Sequence, residues 1–172
     1  MCRPGRDGRL MEPRCPQCGK DFVRRSHREG TLEQLLSVVY VYPFRCQLCG
    51  HRFLALQWGA HYKKQVVDQR EYERVPVRMA ATFSGDRLGG KGEVTEISIR
   101  GCTLQTDARL PEGALLQVSV QPAEPGRPFT VEAAVVRSVR ASGAGLEFLR
   151  IGQHDRDRLR QLLATLLAEQ RS

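Results

Sequence analysis

Val75-Pro76-Val77-Arg78-Met79-Ala80-Ala81-Thr82-Phe83, closed at once by Ser84-Gly85-Asp86, is an extended apolar run ended by turn formers. β-Branched and aromatic residues pack well on a pleated surface, whereas Gly, Ser and Asp interrupt it, so the stretch reads as a strand and a turn. The same unit recurs downstream. Residues 93–98 and 102–106 flank Arg100-Gly101, and 115–120 alternates Leu, Val and Val with Gln and Ser. Residues 129–139 form a long strand rich in Val at 131, 135, 136 and 139, and 144–149 follows Gly143. Gly89-Gly90-Lys91-Gly92 falls between strands and no helix follows it, so it reads as a hairpin turn and not as a phosphate cradle. Six short strands punctuated by Gly and Pro in about 75 residues predict a closed or nearly closed barrel.

The chain ends in another pattern. Leu159, Leu162, Leu163, Leu166 and Leu167 recur at i, i+3, i+4, i+7 and i+8, the stripe of an amphipathic helix. Asp155 and Asp157 suit its positive N-terminal end. The stripe is expected to cover the barrel, with a second copy of the chain as the other surface it could meet.

Upstream of the strands, residues 14–58 carry four of the six cysteines: Arg14-Cys15-Pro16-Gln17-Cys18-Gly19 and Arg45-Cys46-Gln47-Leu48-Cys49-Gly50. Two intervening residues let both thiolates face one metal, and a glycine after each second cysteine permits the positive φ of such a knuckle. Cys15, Cys18, Cys46 and Cys49 together make the tetrahedral thiolate set that structural zinc takes, leaving no open position for catalysis. Rubredoxin-type iron uses the same ligands. A redox dithiol is disfavoured because no βαβ pattern surrounds either pair. The 27 residues between the pairs exceed the usual ribbon spacing of about 15–20. A short helix opening at Thr31-Leu32-Glu33-Gln34, which has capping-box spacing, would absorb the excess. His27, His51 and His61 read as surface residues, Cys2 belongs to a loose tail, and Cys102 reads as a buried free thiol in a strand.

Composition bounds the rest. With 172 residues, 41% hydrophobic and 27% charged, the chain has enough apolar material for a core. No apolar run approaches the roughly 20 residues that a membrane-spanning helix needs, and no apolar segment follows the basic start, so a soluble, cytoplasmic protein is expected. Residues 1–67 carry 12 Lys/Arg and 5 Asp/Glu, net +7, whereas 68–172 carry 15 and 14, net +1. The basic excess lies in the cysteine-bearing part, where it serves either as a solvated face or as an attractor of polyanions. The division expected is a disordered tail at 1–13 (with Met11 as an alternative start), a zinc ribbon at 14–58, a linker at 59–69, and a barrel with its closing helix at 70–170.

Gln69-Arg70-Glu71-Tyr72-Glu73-Arg74-Val75 leads into the first barrel strand, and after 21 further residues comes Glu96-Ile97-Ser98-Ile99-Arg100-Gly101. The pair resembles the PilZ domain, whose signatures are RxxxR before the first strand and [D/N]xSxxG at the next turn. The resemblance runs through Pro111-Glu112-Gly113, the Val-rich strand, Gly145-Leu146-Glu147-Phe148 and the leucine helix, about residues 68–168. It implies a six-stranded antiparallel barrel that binds cyclic di-GMP. Arg70 and Arg74 would grip the ligand, and Glu96, Ser98 and Gly101 would line its other side. An arginine fork suits this chemistry because it binds phosphate or a guanine edge bidentately and stacks on a base. Glu96 departs from the family's Asp or Asn, and its extra methylene moves the carboxylate by about 1.5 Å.

The expectation is therefore a mainly β protein: a zinc ribbon, then a PilZ-like barrel with a C-terminal amphipathic helix. It would act as a cyclic di-GMP effector or adaptor with a protein partner, the ligand ordering the Arg70–Arg74 segment beside the ribbon. The alternatives are a nucleic-acid-binding protein using Arg24, Arg25, Arg28, Lys63 and Lys64, or a degenerate barrel serving as an assembly module. No nucleophile–base pair or open metal site argues for an enzyme.

Overall fold

The computed structural model describes residues 13–27, 30–56, 71–86, 88–122 and 127–171. The expected connector at 59–69 and all of the expected tail but Pro13 lie outside them. The chain divides into two compact units, Met1–Glu71 and Tyr72–Ser172.

The first unit is a three-stranded antiparallel sheet, β1 (Val23–Arg25), β2 (Val41–Cys46) and β3 (Arg52–Leu56), with β2 in the middle. Between β1 and β2 run a short helix, α1 (Thr31–Leu36), and a 3-10 turn (Ser37–Val39). The helix lies where the surplus between the cysteine pairs needed it. The capping box does not form: Gly30 is the N-cap at φ 94°, no side chain caps the helix, and Thr31 is already its first residue. The neighbouring Glu33 turns to Arg52 of β3, a charge-assisted pair. Phe44 and Phe53, directly paired across β2 and β3, stack with ring centres 6.0 Å apart.

The second unit is a closed six-stranded antiparallel barrel. Its strands are β4 (Val75–Gly85), β5 (Leu88–Ser98), β6 (Gly101–Gln105), β7 (Leu115–Gln121), β8 (Phe129–Arg140) and β9 (Gly143–Ile151), in the order β4-β5-β6-β9-β8-β7 with β7 returning to β4. Period-two alternation fills the interior: Leu116, Val118 and Val120 from β7, and Ala144, Leu146 and Phe148 from β9, are all buried. Each such Val, Leu or Phe side chain contributes about 1.5–3 kcal/mol of transfer free energy. Closure leaves no sheet edge open in this unit.

Two features differ from the expectation. Gly89, Gly90 and Gly92 are strand residues in β5, opposite Ser84, Phe83 and Ala81, and the hairpin turn lies just before Leu88. The glycines answer to packing: a Cβ on Gly92 would meet the Gln105 carbonyl oxygen at 2.5 Å, and one on Gly90 would press on the Phe83 ring. β5 also carries a bulge, because Val94 pairs with Leu104 but Glu96 pairs with Thr103.

The closing helix, α2 (Gln153–Glu169), buries Leu159, Leu163 and Leu167 and packs on β8 and β4, so the leucine stripe covers its own barrel. Leu162 and Leu166 are half-buried at the margin of the stripe. Asp155 and Asp157 near the helix start pair with Arg158 and Arg160 at i,i+3.

Candidate functional site

The two cysteine pairs form matching knuckles. In the first, the Gly19 amide donates to the Cys15 carbonyl at 2.8 Å and the Cys15 amide donates to Lys20 O at 2.9 Å. In the second, the Gly50 amide donates to Cys46 O at 3.0 Å and the Cys46 amide donates to His51 O at 2.9 Å. Gly19 and Gly50 take φ of 70° and 76°, the left-handed conformation each turn requires.

The four sulfurs lie within 4.8 Å of one another, and the cysteines are unbridged. Cys15 and Cys49 Sγ are 3.5 Å apart, and Cys18 and Cys46 Sγ are 3.6 Å apart. A tetrahedron with metal–sulfur bonds of about 2.3 Å has edges of about 3.8 Å, so the cluster fits a zinc-sized ion. Burial pushes the Cys46 and Cys49 thiols up. At Cys15 burial acts in the same sense but is outweighed by the Cys18 and Gln17 amides and by the neighbouring thiols of Cys49 and Cys18, and that thiol is lowered. A bound cation would hold such thiols as thiolates. His27 and His51 are exposed and do not join the cluster, while His61 lies outside the described residues.

The second constellation gathers at the β5–β6 turn. The hairpin pairs Ser98 with Gly101, Ile97 with Cys102 and Glu96 with Thr103. Ile97 and Cys102 are fully buried in the barrel, so alternation turns Ser98, Gly101, Glu96 and Thr103 to the outer face. The bulge makes this possible. Val94 and Ile97 both point inward although three positions apart, and the extra residue between them aims Glu96 outward.

Arg74 immediately precedes β4, whose Val75 pairs with Ile97 and Pro76 with Glu96, which brings the arginine to the same outer face. Its Nη1 donates to Thr103 Oγ1 at 3.2 Å and pairs with Glu96 Oε2 at 3.4 Å, while the Thr103 hydroxyl donates to the same carboxylate oxygen at 3.2 Å. Ser98 Oγ accepts from the Arg100 amide at 3.4 Å and donates to Gly101 O at 3.2 Å, so this hydroxyl closes the turn. The Arg100 carbonyl accepts from the Phe148 amide at 2.8 Å, which ties the turn to β9. Gly101 has no room for a side chain, since a Cβ would run into the Leu146 carbonyl oxygen. Beneath this face, burial pushes the Cys102 thiol up to about 12, against the pull of nearby Arg74.

The structure thus unites Arg74 with Glu96 and joins Ser98 to Gly101 one step along the same hairpin, while Arg70 lies outside the described residues. Sequence reasoning missed Thr103, the residue Arg74 and Glu96 both bond. Counting back from a two-residue turn at Ile99-Arg100 sets Thr103 opposite Glu96, so the signal was present. It also missed Glu147, which pairs with Gly101 across β6 and β9 and holds Arg137 at 2.6 Å. Of the basic residues considered for nucleic acid, only Arg24 and Arg25 are described. They are adjacent in β1 and so face opposite sides, and Arg25 stacks on Tyr42 at 4.3 Å. The described residues therefore do not assemble the expected polyanion-binding cluster.

The PilZ domain profile matches residues 68–165. The barrel, its helix and the placement of Arg74 and of the second signature agree with that match, and the chain belongs to the PilZ family. Membership implies a cyclic di-GMP-binding effector or adaptor family, whose domains are generally non-enzymatic. Among solved structures, the chain is similar to the Bacillus subtilis inhibitor of motility (MotI/DgrA), at 17% identity and a TM-score of 0.51. That match covers 76% of this chain and 64% of the other, less than two-thirds of its length, and it shows the shared fold. The PilZ domain of CeSA from a cellulose-synthesizing bacterium matches over 55% of this chain and 97% of its own, at 11% identity and a TM-score of 0.44. No curated protein matches the chain. No helix among the described residues is long and apolar enough to cross a membrane.

Proposed function

We propose that this protein is a cytoplasmic cyclic di-GMP effector whose ligand is held by Arg70, Arg74, Glu96, Ser98 and Gly101. The observation that carries the reading is Arg74, poised on the outer face of the β5–β6 hairpin with Glu96 and Thr103 as its side-chain partners. The pair is partly open to solvent, with side-chain exposures of 31% and 39%, and such pairs contribute about 0–1 kcal/mol. Hydrogen bonds from a cation to phosphate contribute about 1.5–3 kcal/mol each, so a ligand phosphate outcompetes Glu96 for the guanidinium. Ligand engagement orders the segment from Arg70 to Arg74. Glu71, within that segment, pairs with Arg45 beside Cys46 at 3.2 Å, which supports a link between the segment and the ribbon sheet. The ribbon (14–58) holds a structural zinc ion, residues 59–69 link it to the barrel unit (70–170), and a protein partner reads the change.

A second reading has one observation in its favour. Glu96 occupies Arg74 where the family carries a shorter residue, as in a barrel that has given up its ligand and serves for assembly. Calorimetric titration of the metal-loaded protein with cyclic di-GMP, beside Arg70→Ala and Arg74→Ala, separates the two. Saturable binding lost in both variants is expected. Absence of heat from a folded wild-type protein would leave the assembly reading standing alone.

A further inference from the structure

Helix α1, the one α-helix among the described residues of the first unit, packs with a charged residue inward. Glu33 is buried, and both its oxygens engage Arg52, at 2.8 Å (Oε1 to Nη1) and 2.9 Å (Oε2 to Nη2). Most of the aliphatic residues around it face solvent instead, and only Leu36 is half-buried. Leu32, Leu35, Val38 and Val39 are 69%, 68%, 76% and 56% exposed. Leu54 and Leu56 alternate with Arg52 on one face of β3, and they too are exposed. Arg52 is the residue that reaches α1, so the helix and the two leucines belong to the same side of the sheet. Six exposed aliphatic side chains on so small a module exceed the scattered apolar residues of an ordinary surface and mark an interaction site.

Charge selects the occupant. The β1–β2–β3 register sets Arg24, Arg45 and Arg52 directly opposite one another, in a row on the same face as Leu54 and Leu56. Arg24 is exposed and has no ion-pair partner among the described residues. The described residues of this unit carry six Lys/Arg and three Asp/Glu, net +3, so a second copy of this surface would bring like charge against like. The single acid of α1, Glu33, is neutralised by Arg52. The complement is an apolar layer that bears negative charge on its surface. Exposures of 69%, 68%, 76% and 56% at positions 32, 35, 38 and 39 describe a ridge, which enters a soft layer, and not the half-shielded wall of a groove that receives a partner.

We propose that the exposed aliphatic side chains between Leu32 and Val39, with Leu54 and Leu56, insert into the headgroup region of an anionic lipid surface while Arg24 meets the headgroup phosphates. This is interfacial attachment, in which aliphatic burial and attraction to anionic lipid act together. It does not rest on cyclic di-GMP binding.

Sedimentation of the full chain with phosphatidylcholine vesicles, with and without phosphatidylglycerol, tests it. Binding is expected only when phosphatidylglycerol is present, and it falls as salt rises. The triple variant Leu32→Ser/Leu35→Ser/Val38→Ser and the single variant Arg24→Glu should each bind about tenfold more weakly or worse. The Leu54→Ser/Leu56→Ser pair, on a different element, provides the second readout should the triple variant lose its circular-dichroism spectrum. Failure to bind anionic vesicles, or binding unchanged in both serine variants, overturns the proposal. So does a concentration-dependent dimer of the wild type that the serine substitutions dissolve, which would make the occupant a second copy.

Discussion

In the proposed reading, Glu96 is the residue on which ligand affinity turns. Its carboxylate meets Arg74 Nη1 and the Thr103 hydroxyl. Glu96→Asp restores the length found in the family and draws the carboxylate back from Arg74, so affinity for cyclic di-GMP should rise several-fold in a titration. An unchanged or lower affinity would show that the added methylene costs nothing. Arg74→Ala should weaken binding by about tenfold to a hundredfold, the equivalent of one lost charged hydrogen bond. Gly101→Ala tests packing at the same turn: the added methyl meets the Leu146 carbonyl and should cost about 1–3 kcal/mol in denaturant unfolding. Cys102 carries a pH signature. Its folded value of about 12 lies above the ordinary 9.0, so its contribution is fully present below pH 9 and is lost as pH rises toward 12. Alkaline denaturation of Cys102→Ala should accordingly fall less steeply over that window than that of the wild type.

At the scale of elements, the elements whose cues are local were legible. The leucine stripe of α2 follows from 3.6 periodicity, and its buried positions Leu159, Leu163 and Leu167 are a subset of that stripe. Leu163→Ala should cost about 2–5 kcal/mol, read as a lower denaturant midpoint. The knuckles were legible for a similar reason, because each is built within six residues. β5 was read less well. Its glycines imitate a turn, yet they sit there because Phe83 and the Gln105 carbonyl crowd them. That crowding comes from neighbours outside the run itself. The inverted packing of α1 was hidden likewise, since Glu33 is buried only because Arg52 of β3 meets it.

At the scale of the molecule, the two compact units carry separable cores: sulfur ligands and a small aromatic cluster in one, a closed apolar barrel in the other. Cys46→Ser should abolish stoichiometric zinc, measured by atomic emission, while the barrel's thermal transition stays within a few degrees of the wild type. Loss of the barrel transition in this variant would show that the units fold as one. Metal retention should also weaken in acid, because protons compete for the thiolates.

The sequence by itself determined the four-cysteine cluster, the number of barrel strands and the covering helix. Each is encoded in local spacing, two residues between cysteines or periods of 2 and 3.6, that needs no distant partner. Only the tertiary structure decided how β7 closes on β4, which way Glu96 points and what Arg74 bonds. Closure and register depend on pairings between residues far apart in the chain. A single bulge in β5 shifts the alternation by one, carrying Glu96 to the outer face, where Thr103 and Arg74 await it.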